Sequence, residues 1–151
     1  MRVHRLGTAQ HPVWDGGGAA LHGGRWNPPG AAVIYAAGSL ALAMLERLVQ
    51  RRALGNTLLV EATVPDEIEW TDLLAAPPTG WRALGSPEAV AAGEAWLKEG
   101  RTALLRVPSA LVPREPNWVV NVRHPDATRI QVGAPESLEW DPRLFGVPAP
   151  S

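Results

Sequence analysis

"VIYAAGSLALAMLERLVQ", Val33–Gln50, carries the reading that decides the fold. Ala32 to Ala36 is small, apolar and β-branched, which predicts a short buried strand. Gly38 breaks it, and Ser39 offers an N-cap to a run of good helix formers that stops near Gly55. Around that helix Leu40, Leu42, Met44, Leu45, Leu48 and Val49 fill one broad apolar arc. Glu46 falls at the edge of the arc beside Leu42, while Arg47 and Gln50 point further outward. A carboxylate on such a boundary can look into a cleft.

Working outward, Thr57 to Val64 alternates as a strand and ends at Pro65-Asp66. Residues 71 to 87 form a Pro- and Gly-rich connection. Ser86-Pro87-Glu88 then starts a second helix that Gly100 closes. Strands are expected at Ala103 to Val107, Trp118 to Val122 and Arg129 to Val132. Residues 1 to 30, with Gly16-Gly17-Gly18, Gly23-Gly24 and Pro28-Pro29-Gly30, read as short strand fragments joined by loops. Strands in runs with few helices favour α+β over an alternating parallel fold. No repeat or linker divides the chain, so a single domain over 1 to 151 is expected, with about 145 to 151 as a short tail.

The totals narrow the function. A formal net charge of -1 over 151 residues gives no bulk attraction for polyanions or acidic membranes, though it permits a local basic pocket. With no cysteine, disulfides and thiolate zinc sites are excluded. No signal-like apolar core follows Met1, and the run LALAML is too short to span a bilayer, so a soluble cytoplasmic protein is expected. His4, His11, His22 and His124 lack ligand spacing, which argues against a metal site. Seven tryptophans are spread along the chain and are expected to pack core and rims, against one tyrosine, Tyr35.

Few residues remain that could do chemistry. Arg25, in "LHGGRWNPPG", offers a planar fork of donors suited to phosphates, or is a turn arginine stacked on Trp26. Tyr35 offers a ring face and a hydroxyl, or is a core tyrosine bonded to backbone. Glu46 could stabilise a developing cation, or is a solvated helical glutamate beside Gln50. Ser109, just past a strand, could bond a ligand amide, or simply forms a turn. Together with His124 and Asp126, Ser109 also invites a hydrolase reading, but no G-x-S-x-G elbow surrounds it. Gly16-Gly17-Gly18 is not expected to follow a strand and open a helix as a dinucleotide fingerprint does.

Four blocks in order, "GGRWNPPG", "VIYAAGSLALAMLE", "LLRVPSALVPREPNWVVNVRHPD" and "WDPRLF", resemble the RES domain family, named for an arginine, a glutamate and a serine. The resemblance covers nearly the whole chain. It implies an ADP-ribosyltransferase-like fold, a split, mainly antiparallel sheet with helices around an NAD-binding cleft. It also implies the toxin of a two-gene toxin–antitoxin module, held in a higher-order complex by an Xre-like antitoxin that reaches DNA on the toxin's behalf. Such toxins consume NAD by hydrolysis or phosphorolysis, or transfer ADP-ribose to a protein. The family's arginine falls on Arg25, its tyrosine on Tyr35, its glutamate on Glu46 and its serine on Ser109. Arg5 matches an N-terminal arginine, and Asn121 the asparagine ahead of His-Pro, in a stretch reading Trp-Val-Val-Asn-Val where members more often have an aromatic followed by Leu-(Leu/Ile)-Asn-Pro. By this resemblance Arg25, Tyr35 and Glu46 would be catalytic. Arg5, Arg25, Tyr35, Ser109 and Asn121 would hold NAD, with inorganic phosphate as a possible co-substrate and no metal. The competing reading is a module of the same fold that binds a nucleotide or partner without turnover.

Overall fold

The computed structural model describes residues 1–50 and 54–146. Eight strands join in one sheet: β1 (Arg2–Gly7), β2 (Val33–Ala37), β3 (Leu58–Thr63), β4 (Trp70–Asp72), β5 (Leu104–Pro108), β6 (Pro116–Asn121), β7 (Gln131–Val132) and β8 (Glu136–Ser137). Their order is β4-β5-β6-β2-β1-β3-β7, with β8 also on β3. Every pairing is antiparallel except β4 with β5. The helices among the described residues are α1 (Gly17–His22), α2 (Leu40–Val49) and α3 (Pro87–Glu99). The α+β, mainly antiparallel architecture is the expected one.

The central strands bury both faces, so their sequences run apolar without alternation. Ile34, Ala36, Leu104, Trp118 and Val120 face one cluster with Val3 and Ile68. Val33, Leu105, Val107 and Val119 face the other, with Trp26 and Trp96. The caps form as read: Ser39 Oγ accepts from the Leu42 amide at 3.1 Å, and Ser86 Oγ from the Ala89 amide at 3.1 Å. Each is worth about 1 kcal/mol. Gly100 closes α3 in the left-handed region at φ 60°.

Several expectations are corrected. Residues 17 to 22 form a helix rather than loop, so the glycine run does open a helix, although β1 ends at Gly7 and does not lead straight into it. The strands expected to begin at Ala103 and Trp118 begin at Leu104 and Pro116. The one expected from Arg129 begins at Gln131, because Pro125–Arg129 makes a 3-10 turn in which Asp126 N donates to His124 Nδ1. Trp70–Asp72, placed in or beside a loop by the sequence, pairs in parallel with β5. The broad apolar arc of α2 is narrower than expected: Leu42 and Ala43 are buried, while Leu45 and Val49 are 42% and 56% exposed. The helix packs mainly over β1 and β2, with Val112 against its Leu42 and Ala43. Residues 51–53, the expected end of this helix, lie outside the described residues.

One contact fixes how α3 meets the rest. A Cβ at Gly93 would lie 1.6 Å from the Trp26 carbonyl oxygen, so the helix rides directly on the backbone of the Gly23–Asn27 turn. Backbone cannot swing aside as a side chain can. Gly93→Ala is expected to cost about 3 kcal/mol, its helix-propensity gain of about 1 kcal/mol being outweighed by overpacking. Gly18→Ala, with open space at its Cβ, should be neutral or gain up to about 1 kcal/mol. Urea unfolding of both variants checks the contrast.

Candidate functional site

β1 and β2 are neighbours in the sheet, yet only His4 and Ala37 stand in register between them. Beyond that pair the strands part, and a cleft of about 540 Å³ opens over the split. Its floor is His4, Arg5 and Leu6 with Tyr35, Ala36 and Ala37; the Gly23–Trp26 turn forms one wall and α2 the other. Pro108, Ala110 and Asn117 close one end. The size suits a nucleotide-sized ligand.

Arg5 seals the split. Its Nε donates to the Val13 carbonyl at 2.6 Å and its Nη1 to the Tyr35 carbonyl at 2.6 Å. Burial pushes the guanidinium below its ordinary value, opposed by the Asp15 charge and reinforced by Arg47. An arginine so placed still carries its charge.

Tyr35 is held at its other end. Its hydroxyl donates to Asn27 Oδ1 at 2.6 Å and accepts from the Trp26 amide at 3.0 Å. Asn27 is buried, and its Nδ2 donates to the carbonyls of Ala19, Pro28 and Ala31 at 3.0 to 3.2 Å. The turn can come this close only because Gly24 has no side chain: a Cβ there would meet Tyr35 Oη at 2.7 Å. Only the tyrosine ring is left for a ligand.

Arg25 lines the cleft, but one nitrogen is committed to structure. Nη1 donates to the carbonyls of Trp81, Arg82 and Ala83 at 3.0, 3.1 and 2.9 Å. Trp81 stacks on Trp26 at 6.1 Å between centroids, and Arg82 Nε reaches the Ala110 carbonyl at 2.9 Å. These bonds lock the 81–83 loop against the wall of the cleft. In the alternative reading of Arg25 as a turn arginine, Trp26 would have been its stacking partner; Trp26 stacks on Trp81 instead.

Glu46 sits on the opposite wall. Its Oε1 accepts from Ser109 Oγ at 2.8 Å and from Asn117 Nδ2 at 2.9 Å. Ser109 is fully buried, and its Oγ also accepts from the Leu111 and Val112 amides, both at 3.1 Å. The hydroxyl therefore has no capacity left for a ligand amide; it aims Glu46 instead. Ala43, Glu46, Arg47 and Gln50 together line the cleft at i, i+3, i+4, i+7. Arg47 and Gln50, expected to point outward, face inward on this stripe.

Arg5, Arg25, Tyr35 and Glu46 are thus brought to one cleft, with Ser109 directly behind it. Asn121 is not. It ends β6 remote from Asn117, where its Oδ1 accepts from the Arg123 amide at 3.1 Å and caps a turn. The hydrolase reading fails on the same geometry. Ser109 pairs with Glu115 ahead of β6, and His124 lies beyond the far end of that strand, roughly 20 Å away at ~3.3 Å per residue. Sequence reasoning missed Asn117, Asn27 and His22. Asn117 had one available signal: it immediately precedes the strand expected from Trp118 to Val122. Among the described residues no group of three or more His, Asp or Glu side chains could hold a metal.

Burial is the main cause that raises the Tyr35 hydroxyl far above its usual value of about 10, against smaller lowering by the Trp26 amide and Arg25. The folded state therefore holds this proton more tightly than the unfolded chain. The associated stability is complete below about pH 10 and is lost as pH rises beyond it. Because Tyr35 is the sole tyrosine, tyrosinate absorbance reports it alone. It should appear only together with alkaline unfolding; tyrosinate in a still-folded protein near pH 10 would contradict the network. Tyr35→Phe, which strands Asn27 Oδ1 and the Trp26 amide, should cost about 2 kcal/mol on thermal or urea unfolding.

Comparison with known proteins shows the family. The RES domain model matches residues 1–141. The chain is 43% identical over 138 residues to the Prs ADP-ribosylating toxin of Sphingobium sp. (strain YBL2), covering 87% of this chain and 86% of that one. It is 39% identical to Toxin Res of Yersinia enterocolitica, covering 87% and 90%. Among solved structures, the M. tuberculosis MbcT-MbcA toxin-antitoxin complex contains a chain that superposes with a TM-score of 0.72 at 21% identity, over 96% of this chain and 86% of its own. With a family match across the whole cleft-bearing chain and relatives of this identity, the protein belongs to the RES domain family.

Proposed function

We propose that this protein is the toxin of a toxin–antitoxin module and that its cleft cleaves the nicotinamide–ribose bond of NAD. The observation that carries the reading is the pinned Glu46 carboxylate, facing a cleft whose floor and walls hold Arg5, Arg25 and Arg47. A dinucleotide needs cations for its pyrophosphate and an anion near the ribose that loses its base. In the cleavage, nicotinamide leaves with the bonding electron pair and positive charge grows on the ribose. Glu46 stabilises that oxocarbenium as glycosidase carboxylates do. A group so placed is worth on the order of 3 kcal/mol, a hundredfold or more in rate. Arg25 meets the pyrophosphate through its uncommitted edge, and the Tyr35 ring packs on nicotinamide.

Three acceptors complete the reaction. Water gives ADP-ribose and a proton, phosphate gives ADP-ribose-1″-phosphate, and a protein side chain gives a modified protein. The partly buried Arg5 beside Arg47 supports a phosphate acceptor; the name of the Sphingobium relative supports protein modification as the second reading. The partner is an antitoxin, of the Xre-like kind and itself the DNA-binding component, in the cytoplasm. The MbcT-MbcA neighbour supports an antitoxin partner.

The test is NAD loss by purified, antitoxin-free protein, with and without phosphate, products resolved by mass. Phosphate-dependent loss marks a phosphorylase and equal loss a hydrolase. Loss that needs an added protein acceptor marks a transferase. No loss under any of these conditions marks a binding module. Glu46→Gln should lower turnover at least a hundredfold while leaving the unfolding midpoint nearly unchanged.

A further inference from the structure

We infer that Asn117 is a positioning residue for Glu46, fixing which carboxylate oxygen meets the substrate; this rests on the NAD-cleaving reading above. Both protein donors to the carboxylate, Ser109 Oγ and Asn117 Nδ2, land on the same oxygen, Oε1. Oε2 has no hydrogen-bond partner among the described residues, and Glu46 lines the cleft. The carboxylate is therefore divided into an anchored oxygen and a presented one.

The two anchors differ in kind. Ser109 is buried and out of a ligand's reach, and its two backbone donors leave its proton only one useful direction. Asn117 stands in the cleft wall on backbone held from both sides. It is paired with Ala37 on β2 on one side and Val107 on β5 on the other. Its amide orientation follows from charge, since the alternative would put Oδ1 against an anionic carboxylate. A donor held by two strands transfers their rigidity to a side chain carried by a helix. A single serine anchor would leave the carboxylate free to rotate about its bond to Oε1.

Two variants test this. Asn117→Ala removes the anchor, and Asn117→Asp keeps the shape while replacing the donor with a like charge. An interaction that matters through orientation in the transition state lowers kcat and leaves KM nearly alone. Asn117→Ala should lose about tenfold to a hundredfold in kcat with KM for NAD within about threefold, and Asn117→Asp should lose more. A folded Asn117→Ala with kcat within twofold of wild type overturns the inference. So does a loss confined to KM, which would make Asn117 a direct substrate ligand. A second readout needs no turnover. In ¹H–¹⁵N spectra, one Asn117 side-chain proton should lie downfield of the other asparagine amides and lose that displacement in Glu46→Ala. Absence of the displacement in wild type overturns the inference. Should wild type consume no NAD while the displacement is present, the NAD reading falls and the anchoring of Glu46 stands.

Discussion

The cleft exists because a guanidinium occupies the place of a strand ladder. Past His4 and Ala37, β1 and β2 no longer pair, and a buried carbonyl left there would cost as much as a lost hydrogen bond. Arg5 supplies the missing donors to Tyr35 and Val13. Its long side chain spans a width that a backbone amide cannot. That one substitution of donor turns a closed sheet into an open floor. It also fixes Tyr35 from its carbonyl side, while Asn27 and the Trp26 amide fix it from the hydroxyl side. Wall, floor and ring orientation therefore share a common origin.

A net charge of -1 describes the molecule poorly at this point. Arg5, Arg25 and Arg47 line one cavity, with Glu46 as the carboxylate among them. In a recess with reduced access to water such charges act over longer range than on an open surface. Such a lining would favour an anion at the arginines and a developing cation at the carboxylate, as the proposed reading requires. Adjacent residues divide the work: Ser109 is spent on aiming Glu46, while its neighbours Pro108 and Ala110 form the surface a ligand would touch.

The sequence made the caps and the central strands legible, because Ser39, Ser86 and Gly100 state local rules and the apolar runs state burial. It gave the right type of fold but blurred its irregular parts. α1 is short and glycine-rich, so propensity argues against it; tertiary contacts hold it instead, with Ala19 packed against the Trp26 cluster and its carbonyl accepting from Asn27 Nδ2. β4 is three residues long and exists only through its pairing with β5. At the site, Arg25, Tyr35 and Glu46 could be named from residue type and resemblance. Their partners could not, because Glu46 meets Ser109 and Asn117 across 63 and 71 residues of chain. The inward stripe of α2 escaped for a different reason. Hydrophobic periodicity finds the face that touches core, and this helix turns a polar face toward an open split.

Arg25 shows why residue identity at such a site can be stricter than charge. Nη1 is spent on three carbonyls that hold the 81–83 loop. Nε and Nη2 have no partner among the described residues, and Arg25 lines the cleft. A planar fork permits this division, since its nitrogens point along fixed and separate directions. A lysine ammonium has a single nitrogen; pulled toward the carbonyls it leaves the cleft, and pulled toward a phosphate it releases the loop. The glycines before Arg25 serve the same end, because Gly24 lets the turn settle against Tyr35 and so sets where the guanidinium begins. On the proposed reading the arginine serves as a structural strut and as a charge at once, two demands that a lysine could not meet from that one position.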